Sequence, residues 1–530
     1  MLTFIDWLKV KRLKANGIYL QRQISMTTAY RISAFLTGLV VLNSASLGQF
    51  VEPIETVHVW TGEVPFARFG FINRVMGDVD GDGVLDAGIG VPENSEGGVG
   101  SGKVFIYSGR TGILIREHTG NINDFLGWEM SGVGDVNRDG FDDYVIGAPQ
   151  TFNLGAFFGP GHAYLHSGAT GELLHTWTGQ VFADGFGLLC AGAGNVIENL
   201  SGDINGDGVP DILIAAPLND TAAANAGRVY VYSGANYDEL IYVINGEAFN
   251  DRFGFSVGGL GDLNGDGLGE FIVGASNGGP LDHGRAYVYD GATGHPMSFS
   301  PLDADSTGLN FGHLFSSGPG DVNGDGTFDI FVADISNTAF GVATGRSYVY
   351  SGLDGSLIHV WTGEAALEGM GVRRGAGDVN FDGYADIVVS SFRSGLIAEA
   401  AGKTFVFSGR DGSILRTITG TIESDRQGWS TVGIGDVNND GAIDFMISSV
   451  GNDDGGTDVG RVYVIAGEFF PCSQDLDGDG SVGTADLLEL FAQWATDGPA
   501  DFDGSGAVGT SDLLILFANW GSMSVITTTE

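Results

Sequence analysis

The chain is poor in basic residues: 24 Lys and Arg stand against 66 Asp and Glu in 530 residues, a formal net charge of −42. That deficit argues against nucleic acid as a partner, because phosphate binding needs a basic surface. Cysteine is nearly absent. Cys190 and Cys472 supply neither a disulfide framework nor a Cys-based zinc site, and whether they pair is left open. No run reaches the ~20 apolar residues of a membrane-spanning helix, so the chain is not expected to span a bilayer. No HExxH or phosphate loop occurs, and the nine histidines are scattered. No recognisable catalytic set emerges, which leans against an enzyme without closing the question. Abundant glycine (89 residues), 34 phenylalanines and 43% hydrophobic content indicate a large folded core rather than a disordered acidic chain.

Near the start, Arg31 precedes the apolar run Ala34 to Leu42, followed by Ser44, Ala45, Ser46 and Gly48. This order reads as an export signal. Residues 1–48 are assigned to it, with Met26 a better start than Met1. The expected location is secreted or at the cell surface, extracellular or periplasmic.

The dominant feature is a nine-residue loop, D-x-[DN]-x-D-G-x-x-D with Glu once at the last position, which occurs seven times at steps of 57 to 68 residues. In the first copy Asp78, Asp80, Asp82, the carbonyl of Val84 and Asp86 offer oxygens from positions one, three, five, seven and nine. The second copy offers Asp135, Asn137, Asp139, Phe141 and Asp143. The third has Asp203, Asn205, Asp207, Val209 and Asp211, and the fourth Asp262, Asn264, Asp266, Leu268 and Glu270. Then come Asp321, Asn323, Asp325, Thr327 and Asp329, followed by Asp378, Asn380, Asp382, Tyr384 and Asp386. The last copy has Asp436, Asn438, Asp440, Ala442 and Asp444. Hard oxygen donors in this number suit Ca²⁺, whereas Mg²⁺ demands stricter octahedral geometry. Solvated Asx turns would account for one such loop. Seven in register hold 22 carboxylates at these positions, and close carboxylates repel unless a cation lies between them.

Each loop sits in a unit of four parts: a Phe-Gly step (Phe69-Gly70, Phe186-Gly187), the loop, an apolar run such as Tyr144 to Pro149, and an alternating strand ending in Ser-Gly. A turn and one more strand follow. Four short strands per unit, repeated at constant period, predict a mainly β fold: a seven-bladed β-propeller of four-stranded blades. The seventh unit ends at Gly467 without an outer strand. An orphan strand, Val57 to Gly62, matches Ile358 to Gly363 almost letter for letter. The N-terminal strand is therefore expected to complete the last blade. Trp60, Trp177 and Trp361 recur on outer strands and are read as inter-blade packing. Asp124, Asp184, Asp251 and Asp425 recur before the Phe-Gly step and are read as structural.

These motifs resemble the FG-GAP repeats of integrin alpha-subunit propellers. The resemblance spans roughly residues 57–467, and units six and seven depart from it by losing the Phe (Met370-Gly371, Gln427-Gly428). It implies that the loops lie on one face as structural cation sites, leaving the opposite face or rim to partners.

Residues 475–521 hold a second loop type, twice, with the last acid at position twelve. The expected ligands are Asp475, Asp477, Asp479, Ser481 and Asp486, then Asp501, Asp503, Ser505, Ala507 and Asp512. Each loop opens a helix with one apolar face: Leu487, Leu488, Leu490, Phe491 and Trp494, then Leu513, Leu514, Leu516, Phe517 and Trp520. The pair resembles a dockerin, which implies a small all-α Ca²⁺-binding domain, a cohesin-like scaffold as partner, and recognition through Thr484, Ala485, Thr510 and Ser511. A Ca²⁺-stabilised cap without a partner is the alternative.

The expected organisation is a signal region (1–48), the propeller (49–468), a linker (469–474), the dockerin-like EF-hand pair (475–521) and a tail (522–530), with about nine Ca²⁺. The expected function is adhesion or binding of an extracellular protein or glycan. A polysaccharide-degrading lyase or glycoside hydrolase on the same scaffold, or a structural surface-layer component, are the alternatives.

Overall fold

Each glycine-punctuated unit forms one antiparallel sheet of four strands in simple meander order. In the computed structural model the described residues are 49–151, 158–194, 202–468, 476, 481–496, 498–500, 502, 507–518 and 521–522. The expected signal region, Cys472, and the connection 152–157 lie outside them.

The first blade comprises Ile72–Val75, Ala87–Val91, Lys103–Tyr107 and Leu114–Thr119. Ala87–Val91 is buried at every residue, whereas the outer strand Leu114–Thr119 is half-buried and exposed along its length. This gradient explains why the inner sequences read as continuous apolar runs: they are covered on both faces. The other blades repeat the pattern, giving seven four-stranded sheets. Seven apolar clusters fill the seven blade junctions, so the ring is continuous.

Closure follows the expectation. Thr56–Thr61 pairs antiparallel with Arg461–Ile465, with Trp60 opposite Val462. The edge of Arg461–Ile465 is thereby covered and the seventh blade has its fourth strand. The residues just before add a strap across the sixth: Val51 N–H donates to the Thr419 carbonyl (2.9 Å), and Glu52 accepts Thr419 N–H (2.7 Å) and the Thr419 hydroxyl (2.8 Å). Trp60 stacks on Tyr107 of the first blade and donates to Gly112 O. Trp361 does the same with Phe407 and Gly412 O of the sixth. These are inter-blade contacts, as expected.

Phe186, Phe253 and Phe311 are buried. The glycine that follows has no alternative: Gly187 has φ +77°, and a Cβ there would collide with the His162 carbonyl oxygen. Asp124 accepts Gln150 Nε2, Asp184 accepts Asn219 Nδ2, and Asp425 accepts Asn452 Nδ2 and Gln49 Nε2. These recurring acids tie the connection between blades to the connection within the next blade.

The C-terminal region departs from the all-α expectation. Two short helices, α1 (Thr484–Ala492) and α2 (Thr510–Ala518), accompany an antiparallel ribbon of Ser481–Val482 with Gly521–Ser522. Its small core holds Val482, Leu490, Ala500, Phe502, Val508 and Leu516. The one-sided apolar faces of the two helices are only partly covered. Leu490 and Leu516 point inward, but Leu488 (65%), Phe491 (49%), Trp494 (41%), Leu514 (65%) and Phe517 (48%) are exposed. A unit this small has too little interior to cover both rows of each helix. Trp520 lies outside the described residues.

Candidate metal centres

All seven aspartate loops join the first and second strands of their blades, so they emerge on one face of the disc. In the first blade, carboxyl oxygens of Asp78, Asp80 and Asp86 lie within 4.8 Å of one another. Position one anchors the bend: Asp78 accepts the N–H groups of Gly81 (2.7 Å), Asp82 (3.0 Å) and Gly83 (2.8 Å). Asp135, Asp203, Asp262, Asp321, Asp378 and Asp436 likewise accept the position-six N–H at 2.7–2.8 Å. Gly83 at φ +85° makes the bend accessible.

Position nine is the least exposed. Asp86, Asp143, Asp211, Glu270, Asp329, Asp386 and Asp444 are each 0% exposed. One oxygen accepts the loop's second N–H (Val79 to Asp86, 2.9 Å), and the other accepts the N–H of the glycine after the third strand (Gly109 to Asp86, 2.9 Å). The other six loops repeat both bonds. The ninth acid is therefore a brace within its blade as well as a member of the cluster. Burial pushes its carboxyl up, to about 7 in Asp86, Asp211, Glu270, Asp329 and Asp386 and to about 6 in Asp143 and Asp444; the N–H groups oppose this and the neighbouring loop acids add to it. Such a group favours a proton or a cation beside it. An all-oxygen donor set of this kind fits a hard divalent cation.

Position five differs between blades. Asp82 turns to Arg110, whose Nε lies 3.1 Å from its carboxylate, and it stands outside the cluster of three. Where position three is Asn, its amide donates to the position-five acid: Asn137 to Asp139, Asn323 to Asp325, Asn380 to Asp382 and Asn438 to Asp440. Asn205 accepts Asp207 N–H, and Asn264 donates to Glu270. In the fourth blade Asp266 and Glu270 are joined by Asp290, again within 4.8 Å. Asp290 was missed in the sequence, although it stands where other units end the third strand in Ser.

Neighbouring loops are also bonded. The N–H groups of Asp142, Gly269 and Ala385 donate to the carbonyls of Asp78, Asp203 and Asp321 at 2.8–3.1 Å, and the Asp142 carboxylate accepts Asp78 N–H. Loops one and two, three and four, and five and six are thereby paired across blade boundaries.

In the C-terminal pair, Asp475, Asp477, Asp479, Asp501, Asp503 and Ser505 lie outside the described residues. Asp486 and Asp512 are buried and accept the N–H groups of Gly483 (2.6 Å) and Gly509 (2.7 Å) at the helix starts. Thr484, Ala485, Thr510 and Ser511 are exposed on the first turns. Leu488 with Phe491, and Leu514 with Phe517, recur at matching positions and are exposed.

Residues 199–232, which hold the third aspartate loop, match the FG-GAP repeat family. The chain is 28% identical over 262 residues to integrin alpha-5 of Xenopus laevis, covering 47% of this chain and 23% of that protein. It is 30% identical over 238 residues to integrin alpha-V of Gallus gallus (43% and 21%), and 31% identical over 212 residues to integrin alpha-IIb of Homo sapiens (38% and 18%). The chain thus spans less than a quarter of the length of these relatives. The seven four-stranded blades make this a β-propeller; it is similar to integrin alpha chains over less than half of its length, and one of its units matches the FG-GAP repeat.

Proposed function

We propose that this protein is a secreted, Ca²⁺-stabilised propeller that binds an extracellular protein or glycan, with its C-terminal module acting as a dockerin-like attachment to a cohesin-like scaffold. The observation that carries the calcium reading is the buried ninth acid, repeated seven times beside other loop acids on one face. Each loop cation would be held by positions one, three, five and nine with the position-seven carbonyl, and would supply positive charge that rigidifies the loop. The similarity to integrin alpha chains supports a ligand-binding or adhesion role. The exposed first turns at Thr484 and Thr510, beside the repeated Leu and Phe pairs, support a partner for the C-terminal module. The apolar run Ala34 to Leu42 supports export. No helix among the described residues is long and apolar enough to cross a membrane.

The test is a binding and product assay of the full chain in millimolar Ca²⁺ across proteins, cells and a polysaccharide panel. Retention without product supports a binding propeller. Release of soluble oligosaccharides would replace it with the polysaccharide-degrading alternative.

A further inference from the structure

The bonds between neighbouring aspartate loops alternate around the ring. In loops two, four and six the position-eight N–H donates to the position-one carbonyl of the loop before: Asp142 to Asp78 at 3.1 Å, Gly269 to Asp203 at 2.9 Å and Ala385 to Asp321 at 2.8 Å. Loop three has Pro210 at position eight and no N–H to give. Phe328, Ile443 and Leu85 hold position eight of loops five, seven and one, and among the described residues none of them bonds the loop before. Seven loops joined alternately leave one over, and that one is loop seven.

A second contact follows the same alternation. The position-seven side chain of each even loop lies against the position-four glycine of the loop before. A Cβ built on Gly81 would come within 2.5 Å of Phe141 Cε1, one on Gly324 within 2.5 Å of Tyr384 Cε1, and one on Gly206 within 3.5 Å of Leu268 Cδ2. Position four has φ between +58° and +80° in every loop, yet loops two, six and seven place Arg138, Phe381 and Asn439 there. The left-handed backbone alone does not demand glycine. At Gly81 and Gly324 the ring from the next blade does.

Both contacts arise at one peptide group, the unit between positions seven and eight of the even loop. Its carbonyl is the position-seven oxygen expected among the ligands of that loop. Its N–H, on the far side of the same planar unit, holds the position-one acid of the odd loop. That acid in turn folds its own loop: Asp321 accepts the N–H groups of Gly324 (2.7 Å), Asp325 (3.2 Å) and Gly326 (2.8 Å). Coordination at the carbonyl would orient the plane and polarise the N–H, strengthening the bond it donates. Between loops one and two the Asp142 carboxylate adds a return bond, accepting Asp78 N–H at 2.9 Å.

We propose that the loops take up cations as three coupled pairs, one with two, three with four and five with six, while loop seven fills alone. Phe141, Leu268 and Tyr384, each with the N–H that follows it, are positioning residues for the site of the preceding blade. The coupling is reciprocal, so occupancy of either loop tightens its partner by the same factor. The inference rests on the calcium reading above and adds which sites act together.

The test is equilibrium dialysis of the full chain against radiolabelled Ca²⁺, read as ions bound per chain against free Ca²⁺. Asp325→Ala in loop five should lose one ion from the plateau and move a second, that of loop six, to at least about fivefold higher free Ca²⁺. Asp440→Ala, the matching change in loop seven, should lose one ion and move none. Ala385→Pro copies the proline that loop three carries at position eight. In that background Asp325→Ala should lose one ion and move none, whereas in an Ala385→Gly background, which keeps the N–H, the second ion should still move. Tyr384→Ala, which bares Gly324 and keeps the N–H, should reduce the shift, and it takes the place of the proline variant if that chain does not melt cooperatively. A loss of one ion without a shift in Asp325→Ala, a shifted second ion in Asp440→Ala, or equal shifts in the proline and glycine backgrounds overturns the pairing and leaves the calcium reading intact. A parent chain that binds no Ca²⁺ removes both.

Discussion

The Asp86 carboxylate accepts the backbone N–H of Gly109 at 2.9 Å, joining an aspartate loop to the turn 23 residues later in the same blade. The bond recurs in every blade, between an acid with no exposed surface and a glycine with no side chain. It gives the ninth acid a duty that does not depend on a cation.

That duty separates two substitutions in one loop. Asp211 accepts Gly234 N–H at 2.9 Å and Ile204 N–H at 2.7 Å. In Asp211→Asn, an amide N–H₂ faces one of those donors, and a buried group left unsatisfied costs about 1–3 kcal/mol. The loss should appear in denaturant titrations both with Ca²⁺ and with chelator. Asp207 is exposed, so Asp207→Asn should lose stability in Ca²⁺ and little in chelator. Equal behaviour of the two variants would count against the brace.

Three half-buried histidines are held toward the neutral form. His118 lies 2.7 Å from the Tyr144 hydroxyl and against His166, and His313 stacks on Phe255. Burial pushes His118 and His313 down to about 3, aided by His166 and Arg116 for the first and Arg252 for the second; His166 is lowered as well. Folded values lie below unfolded ones, so the unfolded chain takes up these protons first. Their stabilising effect is complete above the unfolded value and is lost as pH falls from about 6.5 toward about 3. In saturating Ca²⁺, His118→Gln should flatten the stability profile below pH about 6.5 by up to about 1.4 kcal/mol per pH unit. Parallel profiles for variant and parent would show that His118 does not resist protonation.

Closure makes its own demand. Removing residues 49–61 deletes the Glu52 strap and the strand paired with Arg461–Ile465. The bared edge offers unpaired N–H and C=O groups to other chains. The truncated protein should melt earlier and form larger species in size-exclusion chromatography. A monomer with unchanged melting would mean that the ring does not need its last strand.

Much of the fold was legible because the pattern is repeated: the loops set the period, and the match of Trp60 with Trp361 located the missing strand. Asp124 and Asp425 were read correctly as structural because they recur. Pairings across long separations were less visible. Nothing at Asp86 announces Gly109, and nothing at Asp78 announces the N–H of Asp142. Leu488 and Leu514 look like core residues, since spacing identifies an apolar face but not whether anything covers it.

The measurement that bears most directly on the central claim is thermal melting of the full chain in millimolar Ca²⁺ and again in excess EDTA. A ligand at a hundredfold excess over its dissociation constant adds about 2.7 kcal/mol per site to the folded state. With seven loops and a C-terminal pair, Tm in EDTA should fall by more than about 10 °C and recover when Ca²⁺ is restored. Superimposable curves in the two solutions would contradict the account: the aspartate loops would then be hydrogen-bonded turns, not cation sites.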